Sequence, residues 1–444
     1  MSETASSGQD GRIAARAKEE LGFSRWWQVA AAAAMMGLVS PYQYVWSSIQ
    51  SPLESALNVS PEAIGLVFTL FVIFQSGSQF PVGWYRDRHG PRRLTLVAGV
   101  LAGGGYLGLS VATEVWQVYL LYSLGAVGVG IVYTVAVNTA LKWFPDRRGL
   151  TTGIGTMAFA GGSALVVPYV RANATVGGYP GVLQNLGLVI GLGILVGAVV
   201  LRDPPNGWLD GVDVENGDGD GNGESGRNGE GSESDGSRDE SAGDPATNGD
   251  TRQYEWREML GTWQFWLMYG MFIGVSAAGL MLTAQIVAFA DALELNAVTA
   301  TASATVLPVA GGVGRLVVGD LSDRVDRERA MAASFLLCGV GVLGTVLFAR
   351  AGRPLAFVAA VIVATFFWSP QYTLFPSVVG DYYGREHSSA NYALLYSGKM
   401  WGGVFGGAVV GWVVGAASWS VAFAVGGALA ILAGVGALAL RPPR

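Results

Sequence analysis

The 444-residue chain is 51% hydrophobic and only 14% charged, with 65 glycines, a mean hydropathy of +0.39 and a net charge of −6. Ordinary soluble domains do not carry that balance, so an integral membrane protein is expected. One cysteine, Cys338, cannot form an intramolecular disulfide, and the two histidines, His89 and His387, fall in expected loops, so neither metal nor thiol chemistry, nor any cofactor or nucleic-acid partner, is expected.

The first 25 residues are polar and mixed in charge, lack the pattern of a signal peptide, and are expected to be a cytoplasmic tail. Apolar stretches of about twenty residues follow, each able to cross a ~30 Å hydrocarbon core as a helix rising about 1.5 Å per residue. They run over 26–47, 62–82, 94–112, 116–138, 150–170 and 181–201, then 262–288, 297–318, 331–349, 354–374, 389–413 and 418–440. Between the sets lies 206–255, rich in Gly, Asp, Glu, Ser and Asn and too poor in apolar residues to bury a core, so a disordered acidic cytoplasmic linker is expected there. The organisation is then an all-α membrane protein of twelve transmembrane helices in two six-helix bundles, 26–205 and 256–444.

Orientation follows from the basic residues. With the N-terminus inside, only Arg171, Arg350 and Arg353 of the 27 Lys and Arg fall in outer loops, so both termini are expected on the cytoplasmic side of the cell membrane. Two cations remain, Arg315 and Lys399, inside apolar stretches that hold no Asp or Glu. A cation at bilayer depth is expensive, and one without a protein counter-ion points to an anion arriving from outside. Arg315 stands only four residues before Gly319 and could instead snorkel to the inner interface. Lys399, about ten residues into its helix, lies too deep for that.

The halves echo one another. Gly83-Trp-Tyr-Arg-Asp87-Arg88-His-Gly90 follows the second span and Gly319-Asp-Leu-Ser-Asp323-Arg324 follows the eighth, each a Gly, three residues, then Asp-Arg. Internal repetition of this kind builds many secondary transporters around a central cavity. Asp87 and Arg88, with Asp323 and Arg324 in the copy, are expected to join charge networks with neighbouring helix ends and to gate alternating conformations.

The Gly-x-x-x-Asp-Arg-x-Gly loop resembles the signature loop of the major facilitator superfamily. Within it, three stretches are similar to the oxalate:formate antiporter family: Lys142-Trp-Phe-Pro-Asp-Arg-Arg-Gly149, Pro204-Pro-Asn-Gly-Trp208, and Phe375 to Gly384 running on to Asn391-Tyr-Ala-Leu-Leu-Tyr396. The resemblance implies alternating-access transport of small carboxylate anions by a monomer in the bilayer, with Arg315 and Lys399 as substrate ligands. It also implies an aromatic cage of Gln43, Tyr44, Tyr133, Phe159, Trp368, Tyr372 and Tyr396, in which Phe159 lacks a hydroxyl and Tyr396 replaces an expected tryptophan. Tyr42 is placed at the same depth. Arg offers a bidentate fork and Lys a point charge, a pair suited to a dicarboxylate.

Three other readings compete. Proton-coupled monocarboxylate symport would normally need a titratable group in the path, and the spans hold no His and no mid-depth Asp or Glu. A transporter-like sensor would need an output domain, which the linker does not resemble. An enzyme would need a nucleophile with its base, a metal cluster or a phosphate loop, and the sequence offers none.

Overall fold

A computed structural model describes residues 13–144, 148–205, 208, 253–322, 325–384 and 388–443, and those residues are helices joined by short turns. Nine helical stretches among them are long and apolar enough to cross a membrane: Pro61–Arg86, Val115–Ala140, Gly153–Asn173, Tyr179–Val200, Trp263–Ala292, Ala297–Ser322, Arg327–Arg350, Pro354–Tyr383 and Trp419–Ala437. They correspond to the second, fourth to tenth and twelfth expected spans.

The other three expected spans fall short of that criterion for visible reasons. The first is broken into Trp26–Val39, Pro41–Tyr44 and Trp46–Leu57, because Pro41 cannot continue the ladder. The third, Arg92–Leu109, is short and begins with two arginines. The eleventh, expected to be one helix over 389–413, is Ser388–Tyr396, Gly398–Val404, a π-helical turn Phe405–Val409 and Val410–Ala416. The tenth is interrupted between Trp368 and Gln371 at Pro370, whereas Pro168 and Pro308 sit inside continuous helices. Polar side chains start several spans by accepting an otherwise unpaired amide: Ser60 from Ala63, Thr262 from Phe265, Ser418 from Val421. The helices are apolar outward as well as inward, with Leu165, Leu188, Leu347 and Leu355 exposed, as lipid-facing residues are. Exposed Trp26, Trp27, Trp84, Trp116, Trp256, Trp263 and Trp266 cluster at helix ends, the interfacial position for that ring.

The repeat seen in the signature loop extends to the packing. In the first half the third span lies against the fourth and sixth, the second against the fourth and the first against the fifth; in the second half the ninth lies against the tenth and twelfth, the eighth against the tenth and the seventh against the eleventh. The matching contacts use matching glycines. Gly103 meets Gly191 between spans three and six, and Gly339 meets Gly427 between nine and twelve, positions where a Cβ would strike backbone.

Two of the seams between the halves are related by the same pseudo-symmetry, span two against eleven and span five against eight, and the first span also packs against the seventh. The second-to-eleventh seam runs from Pro61 beside Gly411, through Gly65 beside Gly407 and Val72 beside Gly403, to Gln75 beside Lys399. The fifth-to-eighth seam is tied at the end bearing the loops 1–2 and 7–8 by Arg171, which donates to Thr301 (3.4 Å) and pairs with Asp291 (3.8 Å).

One hydroxyl explains the π turn. Thr69 of span two donates to the Gly403 carbonyl (3.2 Å) and accepts from the Ala408 amide (2.9 Å), two groups five residues apart in span eleven. A side chain inserted into the ladder widens the turn, so a residue of one half completes the backbone of the other.

The ends of the expected linker depart from disorder. Trp208 packs on Trp143 with ring centres 5.0 Å apart, and Tyr254 is buried, its amide donating to Tyr383 and its carbonyl accepting from Asn391. Glu255 forms a capping box with Glu258 at the start of the short helix Trp256–Leu260. The remainder, 206–207 and 209–252, lies outside the described residues. Within the expected N-terminal tail, 13–21 is helical, with Ile13 and Ala17 buried.

Thr69→Val, which keeps the shape and loses both hydrogen bonds, is expected to destabilise the purified protein by about 1–3 kcal/mol. Thr69→Ser should recover most of that loss. Thermal unfolding in detergent measures both, and equal midpoints for the Thr69→Val variant and the native protein would remove the hydroxyl from this account.

Candidate functional site

Arg315 and Lys399 are both buried, at 7% and 3% exposure, and neither has a carboxylate partner among the described residues. Arg315 does not snorkel. Its Nε donates to Ser369 Oγ on span ten (2.6 Å) and its Nη1 to the Thr156 carbonyl on span five (3.4 Å). Lys399 Nζ donates to Gln75 Oε1 on span two (3.0 Å). Neutral dipoles therefore solvate both charges without cancelling either.

One ring connects them. The Arg315 guanidinium carbon is 4.8 Å and Lys399 Nζ 5.9 Å from the centre of the Tyr372 ring, and Lys399 is also 5.7 Å from that of Tyr396. Tyr372 and Tyr396 are 6.1 Å apart, and Trp368 stands 5.9 Å from Tyr372, one turn earlier on the same span. The indole of Trp368 fits because residue 279 is glycine; a Cβ there would fall inside the ring. On the first half, Phe159 lies 5.5 Å from Tyr133 and 6.1 Å from Tyr44, and both tyrosines are within electrostatic reach of Arg315. The structure thus gathers Arg315, Lys399, Tyr44, Tyr133, Phe159, Trp368, Tyr372 and Tyr396 around one mid-depth region. Gln43 is buried beside Tyr44 and its Oε1 has no protein partner.

Tyr42 does not belong with them. Its hydroxyl donates to the Ala102 carbonyl (2.6 Å) and its ring fills space left by Gly105 and Gly125, so it packs spans one, three and four together. Several residues of the region were not anticipated. Gln75 and Ser369 hold the cations, Phe272 of span seven lies 6.2 Å from Tyr372 and 5.8 Å from Tyr396, and Gln371 accepts from Ser276 (3.1 Å). The hydroxyl of Tyr372 and the side-chain nitrogens of Gln75, Gln371 and Trp368 are buried without a protein partner. Glutamines within apolar helices are a readable signal, by the logic that singled out the cations.

At the end bearing the loops 2–3 and 8–9, the signature loop is helical to His89, where Gly90 adopts φ +75, a conformation favouring glycine. Gly83 faces Thr134 of span four. Arg88 is exposed and lies 3.8 Å above the Trp84 ring. The buried charge of the loop is Arg86, whose Nη2 donates to Asp203 (2.7 Å) and Thr139 (3.3 Å), while Lys142 reaches the other Asp203 oxygen at 2.7 Å. The side chain of Asp87, and Asp323 and Arg324 entirely, lie outside the described residues. In the second half Gly319 abuts Thr373, and Arg327 pairs with Asp381 at 2.6 Å.

Asp203→Asn would strip the formal counter-charge from a buried guanidinium and is expected to cost about 3–5 kcal/mol of stability. Thermal unfolding should show a larger loss for Asp203→Asn than for Lys142→Ala, whose own side chain is far more exposed than Arg86.

Comparisons with known proteins agree with this geometry. The family model of the Major Facilitator Superfamily matches residues 29–390 and 286–444. The oxalate:formate antiporter of Oxalobacter formigenes is 29% identical over 405 residues, covering 90% of this chain and 88% of that protein. An uncharacterized 38 kDa protein of Thermoproteus tenax is 28% identical over 413 residues, covering 92% and 94%. Among solved structures, a bacterial homologue of the human lysosomal transporter Spinster, in an inward-facing and unoccupied conformation, superposes with a TM-score of 0.67 at 15% identity over 94% of this chain and 95% of that one. The chain belongs to the major facilitator superfamily and is a multi-pass membrane transporter rather than an enzyme.

Proposed function

We propose that this transporter exchanges small carboxylates by alternating access, with a dicarboxylate such as oxalate carried one way and a monocarboxylate such as formate the other. The observation that carries the reading is the pair of buried cations, Arg315 and Lys399, that share the Tyr372 ring and have no carboxylate partner among the described residues. Its likeness to the Oxalobacter antiporter supports the same substrate class.

Magnitudes favour a dianion. Two unit charges about 10 Å apart repel by about 1.7 kcal/mol at an effective dielectric of 20, whereas a cation and a carboxylate about 4 Å apart attract by about 4 kcal/mol. A dicarboxylate lying across Tyr372 offsets both cations at once; a monocarboxylate leaves one exposed to the low-dielectric interior. Arg315 holds one carboxylate through its fork, Lys399 holds the other, and the aromatic walls exclude water while Gln43 and the tyrosine hydroxyls orient the bound oxygens. The empty carrier would move two uncompensated charges through the changeover, and that penalty suppresses uncoupled return. Exchange follows from the electrostatics.

The charge asymmetry of the loops supports a reading with both termini on the cytoplasmic side of the cell membrane. The seams tied by Arg171 and by Gly65 with Gly407 then close the external face. Asp87 and Arg88, with Asp323 and Arg324, are read as inner-gate elements, and the acidic segment 206–255 as a linker between halves on that side.

Purified protein in liposomes should show counterflow of radiolabelled oxalate against oxalate or formate. Lys399→Ala should abolish dianion exchange, a loss of at least ~100-fold expected from removing one charged partner of a desolvated pair, with the unfolding midpoint little changed. Absence of counterflow for every carboxylate of one to four carbons would refute the reading. A C-terminal reporter is expected to be active only from the cytoplasm, and external activity would reverse the orientation.

A further inference from the structure

Gln75 is completely buried one turn before the break at Ser78 in span two, and its two amide atoms are in different situations. Oε1 accepts from Lys399 Nζ at 3.0 Å and from Ser76 Oγ at 3.2 Å. Nε2, bonded to the same carbon, has no partner. A buried amide N–H without an acceptor is costly, so it is retained where something else fills it. The placement of the residue is constrained: its backbone carbonyl accepts from Ser78 Oγ (3.3 Å) and Gln79 Nε2 (3.4 Å), and Gly130 of span four lets that turn approach closely. Thr69 and Gln75 of span two both reach span eleven, so the seam that completes the π turn also brings Gln75 to Lys399.

The residue type at this position decides how much charge the site presents. A glutamate here would form a buried ion pair with Lys399 and leave Arg315 as the one uncompensated cation. A leucine would leave the ammonium without an acceptor. Glutamine gives the ammonium a hydrogen-bond acceptor but no counter-charge, and it keeps a donor beside it.

We propose that Gln75 sets the charge of the transported anion: its Oε1 holds the Lys399 ammonium without neutralising it, and its free Nε2–H donates to the carboxylate that Lys399 binds. This deepens, and rests on, the dicarboxylate reading of the Arg315 and Lys399 site. Because Gln75 belongs to the first half and Lys399 to the second, the same carboxylate bridges the seam.

The test is ligand binding to purified full-length protein, by tryptophan fluorescence and thermal shift, with oxalate and formate as probes. Gln75→Glu is expected to weaken oxalate at least ~30-fold while formate binding persists within ~3-fold, a change of selectivity that a misfolded protein could not show. In liposomes the same variant should exchange formate for formate and not oxalate. Gln75→Asn, which keeps the amide but draws it back by one methylene, should weaken oxalate by ~10-fold and leave formate and the unfolding midpoint near native; it serves as the readout if the Glu variant fails to fold. Oxalate binding within ~3-fold of native in both variants, or equal loss of both ligands in the Asn variant, would overturn the assignment to Gln75. If native protein bound formate but no dicarboxylate, the functional reading would fall first, and the Gln75 proposal with it.

Discussion

Two positive charges held at bilayer depth by neutral dipoles alone are the constraint around which the rest of the molecule is arranged. Arg315 is satisfied by a hydroxyl and a carbonyl, Lys399 by an amide, and both by the face of one aromatic ring. Such partners lower the cost of burial enough for the chain to fold, yet leave the net charge in place. Elsewhere the protein does neutralise its buried charge, as Asp203 does for Arg86. The contrast between those two sites, one closed electrostatically and one left open, separates a structural cation from a receptive one.

The two cations also occupy equivalent structural roles. Arg315 stands in the seam between spans five and eight, and Lys399 in the seam between two and eleven, the pair of interfaces exchanged by the internal pseudo-symmetry. Both belong to the second half. At the offset from Gly83 that Arg315 has from Gly319, the first half carries Gln79, an uncharged residue. The repeat therefore supplies the scaffold twice and the charge once, which makes the binding region polar in one half and cationic in the other. Glycines along the second-to-eleventh seam keep backbones close with little side-chain interlocking, and an interface of that kind can part and re-form.

Much of this architecture is legible in the sequence because bilayer thickness sets helix length and the cost of intramembrane charge marks the site. The spans from Val115 to Val200 and from Trp263 to Arg350 come from apolar run length alone, and Arg315 and Lys399 from the absence of neighbouring acids. What was not legible depends on partners far away in the chain. The π turn in span eleven follows from a hydroxyl more than three hundred residues earlier, and the break in span ten from the geometry around Pro370. Tyr42 and Tyr44 are two residues apart and chemically alike; only the glycines of spans three and four, which open a slot for Tyr42, decide that it packs rather than faces the cations. The signature loop likewise signals charge without indicating which arginine turns inward, and helix phase selects Arg86 over Arg88.

The seams and the cations are coupled because each cation reaches across to the other half for one of its neutral partners. When the halves part along the second and eleventh spans, Lys399 must leave Gln75 and the Gly403 and Ala408 backbone groups must leave Thr69, so the charge loses its solvating dipole as span eleven loses its inserted hydroxyl. An anion already bound to Lys399 compensates the first loss and not the second. On the proposed reading, an ammonium that carries its anion keeps a charged partner as the seam opens whereas an empty one is left bare, a difference on the order of 1.5–3 kcal/mol that is reduced by the contact the anion itself gives up at Gln75. Under the exchange proposed above, a preference for exchange over leak arises at the seam as well as at the binding region, from the same ammonium group.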